Sequence, residues 1–145
     1  MLPRMSSIRR IVAATDRSPT ADRAVTWAAD MAARYEAELV LLQVLTSAPG
    51  DGIERAESGL RELAAEMGPD ARARVVVGED PATAIVDAAH RESADVVVVG
   101  NIGMSGRKEF LLGNVPNRVS HKARCTVVIV NTVDEPRRSR LGRRR

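Results

Sequence analysis

VVVVGNIGMSGRKEFLLGNVPNRV, residues 96–119, decides the fold. Four consecutive valines read as a strand buried on both faces. The run breaks at Gly100, and a loop with glycines at 100, 103 and 106 follows. Gly113-Asn114 closes the loop, and a new amphipathic pattern begins there. Strand, glycine-rich loop, helix start is the order in which α/β proteins offer backbone N–H groups to a phosphate. The stretch is either a ligand loop or a loop that only packs.

Upstream, Arg9–Thr15 (RRIVAAT) predicts a first strand that ends at Asp16. Ser18 or Thr20 caps the next helix, with Pro19 in its first turn and Asp22 adding favourable charge. Ala24, Ala28, Met31, Ala32 and Tyr35 form its apolar stripe, with Trp27 beside it as a packing residue. Glu38–Leu45 is a second strand, and Thr46–Gly52 is a loop. Ile53–Met67 is a second helix that turns Ile53, Ala56, Leu60, Leu63, Ala64 and Met67 to one side and stops at Gly68-Pro69. Ala73–Val77 is a third strand. Asp80 caps a third helix, Pro81–Arg91, and Asp95–Val99 is the fourth strand.

Downstream of the glycine loop, Asn114 caps a helix over Val115–Ala123, and Thr126–Val130 (TVVIV) is a fifth strand. The alternation β-α-β-α-β-α-β-α-β predicts an α/β fold: a single parallel sheet, helices on both faces, right-handed crossovers. Such sheets bind ligands at the carboxyl ends of strands, where the strand order reverses. Asp16 and Gly100 are the natural pair there.

At 145 residues the chain is long enough for one domain with a sizeable core. Aromatics make up 2%, so Val, Leu, Ile and Ala must fill that core, and base-stacking platforms are disfavoured. Residues 1–7 read as a loose leader, 8–132 as the domain and 133–145 as a disordered basic tail. Residues 136–145 (PRRSRLGRRR) hold six arginines and no acid; without them the formal charge of +3 becomes −3. The 137–145 segment is either a solvated terminus or a contact for a polyanion or acidic protein. Cys125 is the only cysteine, which excludes an intrachain disulfide and suits a reducing, cytoplasmic setting. It reads as a small core residue rather than a nucleophile. No signal peptide or transmembrane run is visible.

Gly100, Gly103 and Gly113 fit the spacing G-x2-G-x9-G. By chance such a triple arises in roughly one chain in twenty of this length, so its position between a buried strand and a helix carries the argument. Together with IVAATDRS, LVLLQVL, ADVVVVGNIGMSG, FLLGNV and CTVVIV, it makes residues 8–131 resemble the universal stress protein family. The resemblance implies an open Rossmann-like sheet of order 3-2-1-4-5, a homodimer paired through the last strand, and an adenine nucleotide, commonly ATP, as ligand. It places Asp16 near the ribose or phosphates, with any Mg²⁺ met only through the nucleotide. Val44 would meet the adenine through its backbone, and Gly100, Gly103 and Gly113 would let the main chain approach the ribose and phosphates. Gly106, Asn114 and Val115 complete the candidate cofactor-binding set. Arg107 and Lys108 are either phosphate neighbours or solvated loop charges.

Three residues depart from the family pattern. Asn114 stands where nucleotide-binding members have Ser or Thr, Pro116 removes an N–H from the helix start, and Arg17 stands where many members have glycine. Two readings of function remain: an ATP-binding stress or signalling module, and a nucleotide-free dimeric adaptor with an arginine-rich tail. Catalysis, at most a slow ATPase, has little support: His90 and His121 read as surface residues, and no triad, carboxylate pair, metal-ligand cluster or P-loop stands out.

Overall fold

The computed structural model describes residues 7–47, 50–101 and 114–132. The leader before Ser7, Gly103, Gly106, Arg107, Lys108, Gly113 and the tail from 133 onward lie outside the described residues. The elements are β1 (Arg10–Ala14), α1 (Pro19–Tyr35), β2 (Glu38–Leu45), α2 (Gly52–Met67), β3 (Arg72–Val77), α3 (Pro81–Arg91), β4 (Val96–Gly100), α4 (Val115–Lys122) and β5 (Thr126–Val130). Each lies within a residue of its expected bounds at either end. The shifts have local causes. Asp95 is not a strand residue because its carboxylate accepts the Arg9 and Arg10 N–H groups at 2.8 and 3.0 Å, holding the start of β1.

The five strands form one parallel sheet of order β3-β2-β1-β4-β5. Strand alternation sorts the side chains into two layers. Val12, Val40, Leu42, Val97 and Val99 meet Ala82, Ile85, Val115 and Val119 of α3 and α4. Ile11, Ala13, Leu39, Leu41 and Val98 meet Ala24, Val25, Ala28, Leu60 and Leu63 of α1 and α2. Burying one such Val or Leu side chain is worth about 1.5–3 kcal/mol, so these two layers supply most of the driving force.

Ser18 caps α1: its Oγ accepts the Ala21 N–H at 3.1 Å, and Pro19 occupies the first helical position. The apolar stripe of α1 is centred elsewhere than expected. Tyr35, the last helical residue, is half exposed, while Ala21 and Val25 are fully buried. Trp27, read as packing, and Ile53, read as inward-facing, are both more than a third exposed. Cys125 is partly buried against the α3–α4 layer, and His90 and His121 are exposed.

The amino end of the sheet is fastened by charge. The buried Glu92 carboxylate receives Arg72 at 2.9 Å and Arg74 at 2.6 Å from the edge strand β3, and the Glu92 carbonyl receives Arg10 of β1 at 2.6 Å. Burial pushes the Glu92 carboxyl up, but the hydrogen bonds from Arg74 and Arg72 outweigh it and hold the group below its ordinary value. Both arginines are about half exposed and regain water if the partner is lost. Glu92→Ala is therefore expected to lower stability by about 1–3 kcal/mol, less than for a fully buried pair. Urea unfolding at pH 7 measures this, and a loss within error would show that the knot contributes nothing net.

Candidate functional site

Between β1 and β4 the strand order reverses, and the chain leaves these two neighbours toward opposite faces of the sheet. In open α/β sheets the crevice for a ligand lies outside the carboxyl ends of the strands at such a reversal. On the β1 side the Thr15 N–H donates to the Leu42 carbonyl at 2.9 Å, the last link between β1 and β2. Asp16 Oδ1 accepts the Ser18 N–H at 2.9 Å, so the carboxylate is set by the turn that starts α1. Thr15 Oγ1 donates to Asp22 Oδ1 at 2.8 Å and accepts the Arg17 N–H at 2.9 Å. Arg17 Nε meets the same Asp22 carboxylate at 3.4 Å. Arg17 has φ 70, in the left-handed region. That conformation suits glycine, which gives a physical reason for the glycine preference expected at this position.

Val44 lies two residues beyond the last β1–β2 pair, Ala14↔Leu42. In a parallel strand the N–H and C=O of one residue point to the same side, and alternate residues share that side. Leu42 faces β1, so the Val44 peptide groups face the space that β1 has already left. The preceding residue, Gln43, has a buried Oε1 without a hydrogen-bond partner among the described residues; alternation puts its side chain on the α1–α2 face, away from that of Val44.

On the β4 side Gly100 is buried at the strand end. Asn101 then hooks the exit of β4 to that of β5. Its N–H donates to the Val130 carbonyl at 2.8 Å, and its Oδ1 accepts the N–H and Oγ1–H of Thr132 at 3.0 and 3.1 Å. Across the loop, Asn114 sits at φ 67 and caps α4, its Oδ1 accepting the Asn117 N–H at 3.3 Å. Asparagine is among the few residues that enter this region readily. The Val115 side chain is fully buried in the α3–α4 layer, so of this candidate only the backbone can meet a ligand.

The position of α4 depends on a contact that the sequence pattern did not reveal. Asp80 stands at the N-cap of α3, as expected, but its side chain makes no capping bond. It accepts Arg118 Nη1 and Nη2 at 2.7 and 2.8 Å and Thr83 Oγ1 at 2.6 Å. The cap reading fails because a bidentate guanidinium is a stronger donor than a helix N–H. The Arg118 N–H in turn donates to the Asn114 carbonyl at 3.1 Å, so one residue links the helix start to α3. The Arg118 and Thr83 hydrogen bonds and the Arg118 charge outweigh burial and hold the Asp80 carboxyl well below the usual carboxylate range.

The structure thus gathers Asp16, Val44 and Gly100 at one end of three adjacent strands and puts Asn114 and Val115 at the start of α4. Gly103, Gly106 and Gly113 belong to the undescribed stretch between them. Thr15, Asp22, Asp80, Asn101 and Arg118 were missed as a set. They are ordinary polar residues far apart in sequence, and no spacing rule joins them.

A model of the universal stress protein family matches residues 7–131. The chain belongs to the universal stress protein family. It is 33% identical to the universal stress protein Rv1636 of Mycobacterium tuberculosis strain H37Rv, over 88% of this chain and 99% of that protein. Its fold is similar to that of a universal stress protein crystallised in complex with cAMP, with a TM-score of 0.73 and 35% identity over 88% of this chain and 100% of the other. The hypothetical protein MJ0577 aligns with a TM-score of 0.74 at 25% identity, over 90% and 100%. The strand order that the family resemblance implied is the order found.

Because the folded-state acidity of Asp80 is raised, its pairing stabilises fully above its ordinary pKa near 3.9 and is lost as pH falls below that toward the depressed value. Asp80→Asn should cost about 1 kcal/mol at pH 7, allowing for its partial exposure to water. The gap from the parent should stay level between pH 8 and 5 and narrow below about pH 4. Denaturant melts across that range test the sign; a gap that widens on acidification would refute it.

Proposed function

We propose that this universal stress protein binds an adenine nucleotide, ATP with Mg²⁺, and acts as a stress or signalling module whose conformation or partner changes with occupancy. One observation carries the reading: Asp16 and Gly100 end adjacent strands at the order reversal, beside the unpaired Val44 edge of β2. An adenine ring recognised by backbone needs one donor and one acceptor on one strand edge, and Val44 supplies both. A ribose and phosphates need close main-chain approach at Gly100, Gly103, Gly106 and Gly113 and N–H groups at the start of α4. Asp16, oriented by the Ser18 N–H, ends β1 beside that path and would reach Mg²⁺ only through the nucleotide. Asn114 spends its Oδ1 on α4, so its amide –NH₂ is the group left to meet a phosphate. The cAMP complex of a protein 35% identical to this one supports the ligand class.

The same reading includes a homodimer formed through β5. β5 pairs with β4 alone among the described strands, and Ile129 on it is 44% exposed. An apolar edge of this kind is a template for another strand.

Titration of Mg·ATP into the full chain at physiological salt should show saturable binding. Asp16→Ala should weaken it about tenfold, or roughly 1.4 kcal/mol, and Gly113→Val should abolish it. Absence of saturation up to millimolar ATP would overturn the reading and favour a nucleotide-free adaptor. In sedimentation at micromolar concentration a dimer is expected, and Ile129→Lys should dissociate it; a parent chain that stays monomeric refutes the β5 interface.

A further inference from the structure

At the opposite end of the sheet from Asp16 and Gly100, the last turns of α3 and α4 flank the start of β5. A cleft of about 420 Å³ lies there. Its size falls within the range of small-molecule sites, roughly 300–1,000 Å³. Val86 and Ala89 of α3 and Cys125 at the start of β5 give it an apolar floor. His90, Lys122 and Arg124 stand on its rim, against a single lining carboxylate, Asp87.

Two features oppose an anion here, and each is partly offset. Helix C-termini carry partial negative charge on unpaired carbonyls. At this end of α3 the Ala88, Ala89 and His90 carbonyls accept the N–H groups of Glu92, Ala94 and Ser93, and the Val119 carbonyl of α4 accepts that of Ala123. The neighbouring Asp95 carboxylate is engaged by the Arg9 and Arg10 N–H groups. Burial, and then the Asp95 charge, push the Cys125 thiol up, so the floor presents a neutral sulfhydryl. Lys122 and Arg124 are held in no ion pair among the described residues, and their side chains are exposed.

We propose that this cleft is a second ligand site, separate from the nucleotide crevice, that takes a small carboxylic acid with an apolar body. The body lies on the Val86–Ala89–Cys125 floor, and the carboxylate sits between Lys122 and Arg124. Nothing in this assignment requires nucleotide, so the two sites succeed or fail independently.

Cys125 is the only thiol in the chain and serves as the reporter. The full-length protein is alkylated with iodoacetamide in the presence of octanoate, 1-octanol or octylamine. Octanoate should slow Cys125 modification saturably, whereas octylamine should not and octanol should act at least tenfold more weakly. The double variant Lys122→Glu, Arg124→Glu should lose at least tenfold in octanoate affinity while keeping the parent's circular dichroism and unfolding midpoint. Amide shifts caused by octanoate should fall on Val86–Ala94 and Lys122–Cys125. Equal protection by all three probes, no protection up to roughly 10 mM, full protection in the charge-reversed variant, or shifts centred on Asp16 and Val44 would each overturn the site.

Discussion

The parallel contact between β1 and β4 is the constraint on which the rest of the molecule depends. Ile11, Val12 and Ala13 lie beside Val96, Val97 and Val98, and all six are at most 3% exposed. A strand pair buried on both faces has no place for a polar side chain, so it needs helices above and below it. The β1–α1–β2 and β4–α4–β5 units leave this pair in opposite directions across the sheet, and right-handed crossovers then put α1 and α4 on opposite faces. That divergence is the feature by which open α/β sheets leave a crevice at their carboxyl ends. No side chain has to be arranged to create it.

Chemistry is divided between the two ends of the sheet. At the amino end, Glu92 and Asp95 bind guanidinium and backbone N–H groups that tie β1, β3 and α3 together. At the carboxyl end, side chains mostly orient turns: Asp16 holds Ser18, Asn101 holds Thr132, Asn114 holds Asn117. Among the described residues, the carboxyl end is organised largely by short polar side chains bonding to backbone.

How much of this was legible in sequence follows from the range of each interaction. Val96–Val99, the bounds of α2 and α3 and the caps at Ser18 and Asn114 are local patterns, and each appears in the structure within a residue of its expected place. Tyr35 and Ile53 were misread because periodicity gives a helix face but not where the facing strand ends. Asp80 was misread because a cap position looks the same whether its carboxylate serves its own helix or an arginine 38 residues away. Arg17 could be seen as a departure from glycine, but its positive φ could not. At the candidate site, Asp16 and Gly100 were legible from strand ends, Val44 came only with the family resemblance, and their adjacency follows from the strand order. The polar links that hold those ends were not, since each joins residues that only the fold brings near.

The Asn101 hook has a further consequence, one of tethering. By tying the exits of β4 and β5 together, it makes the chain leave for the glycine loop and for the C-terminal arginines from nearly the same point. Arg137 is five residues past Thr132, and a peptide extends at most about 3.4 Å per residue. The first arginine therefore stays within about 17 Å of that exit in any conformation, no more than about two Debye lengths at physiological salt. Residues 1–135, of formal charge −3, are thus joined to residues 136–145, of formal charge +6, beyond the end of the sheet where β4 and β5 exit.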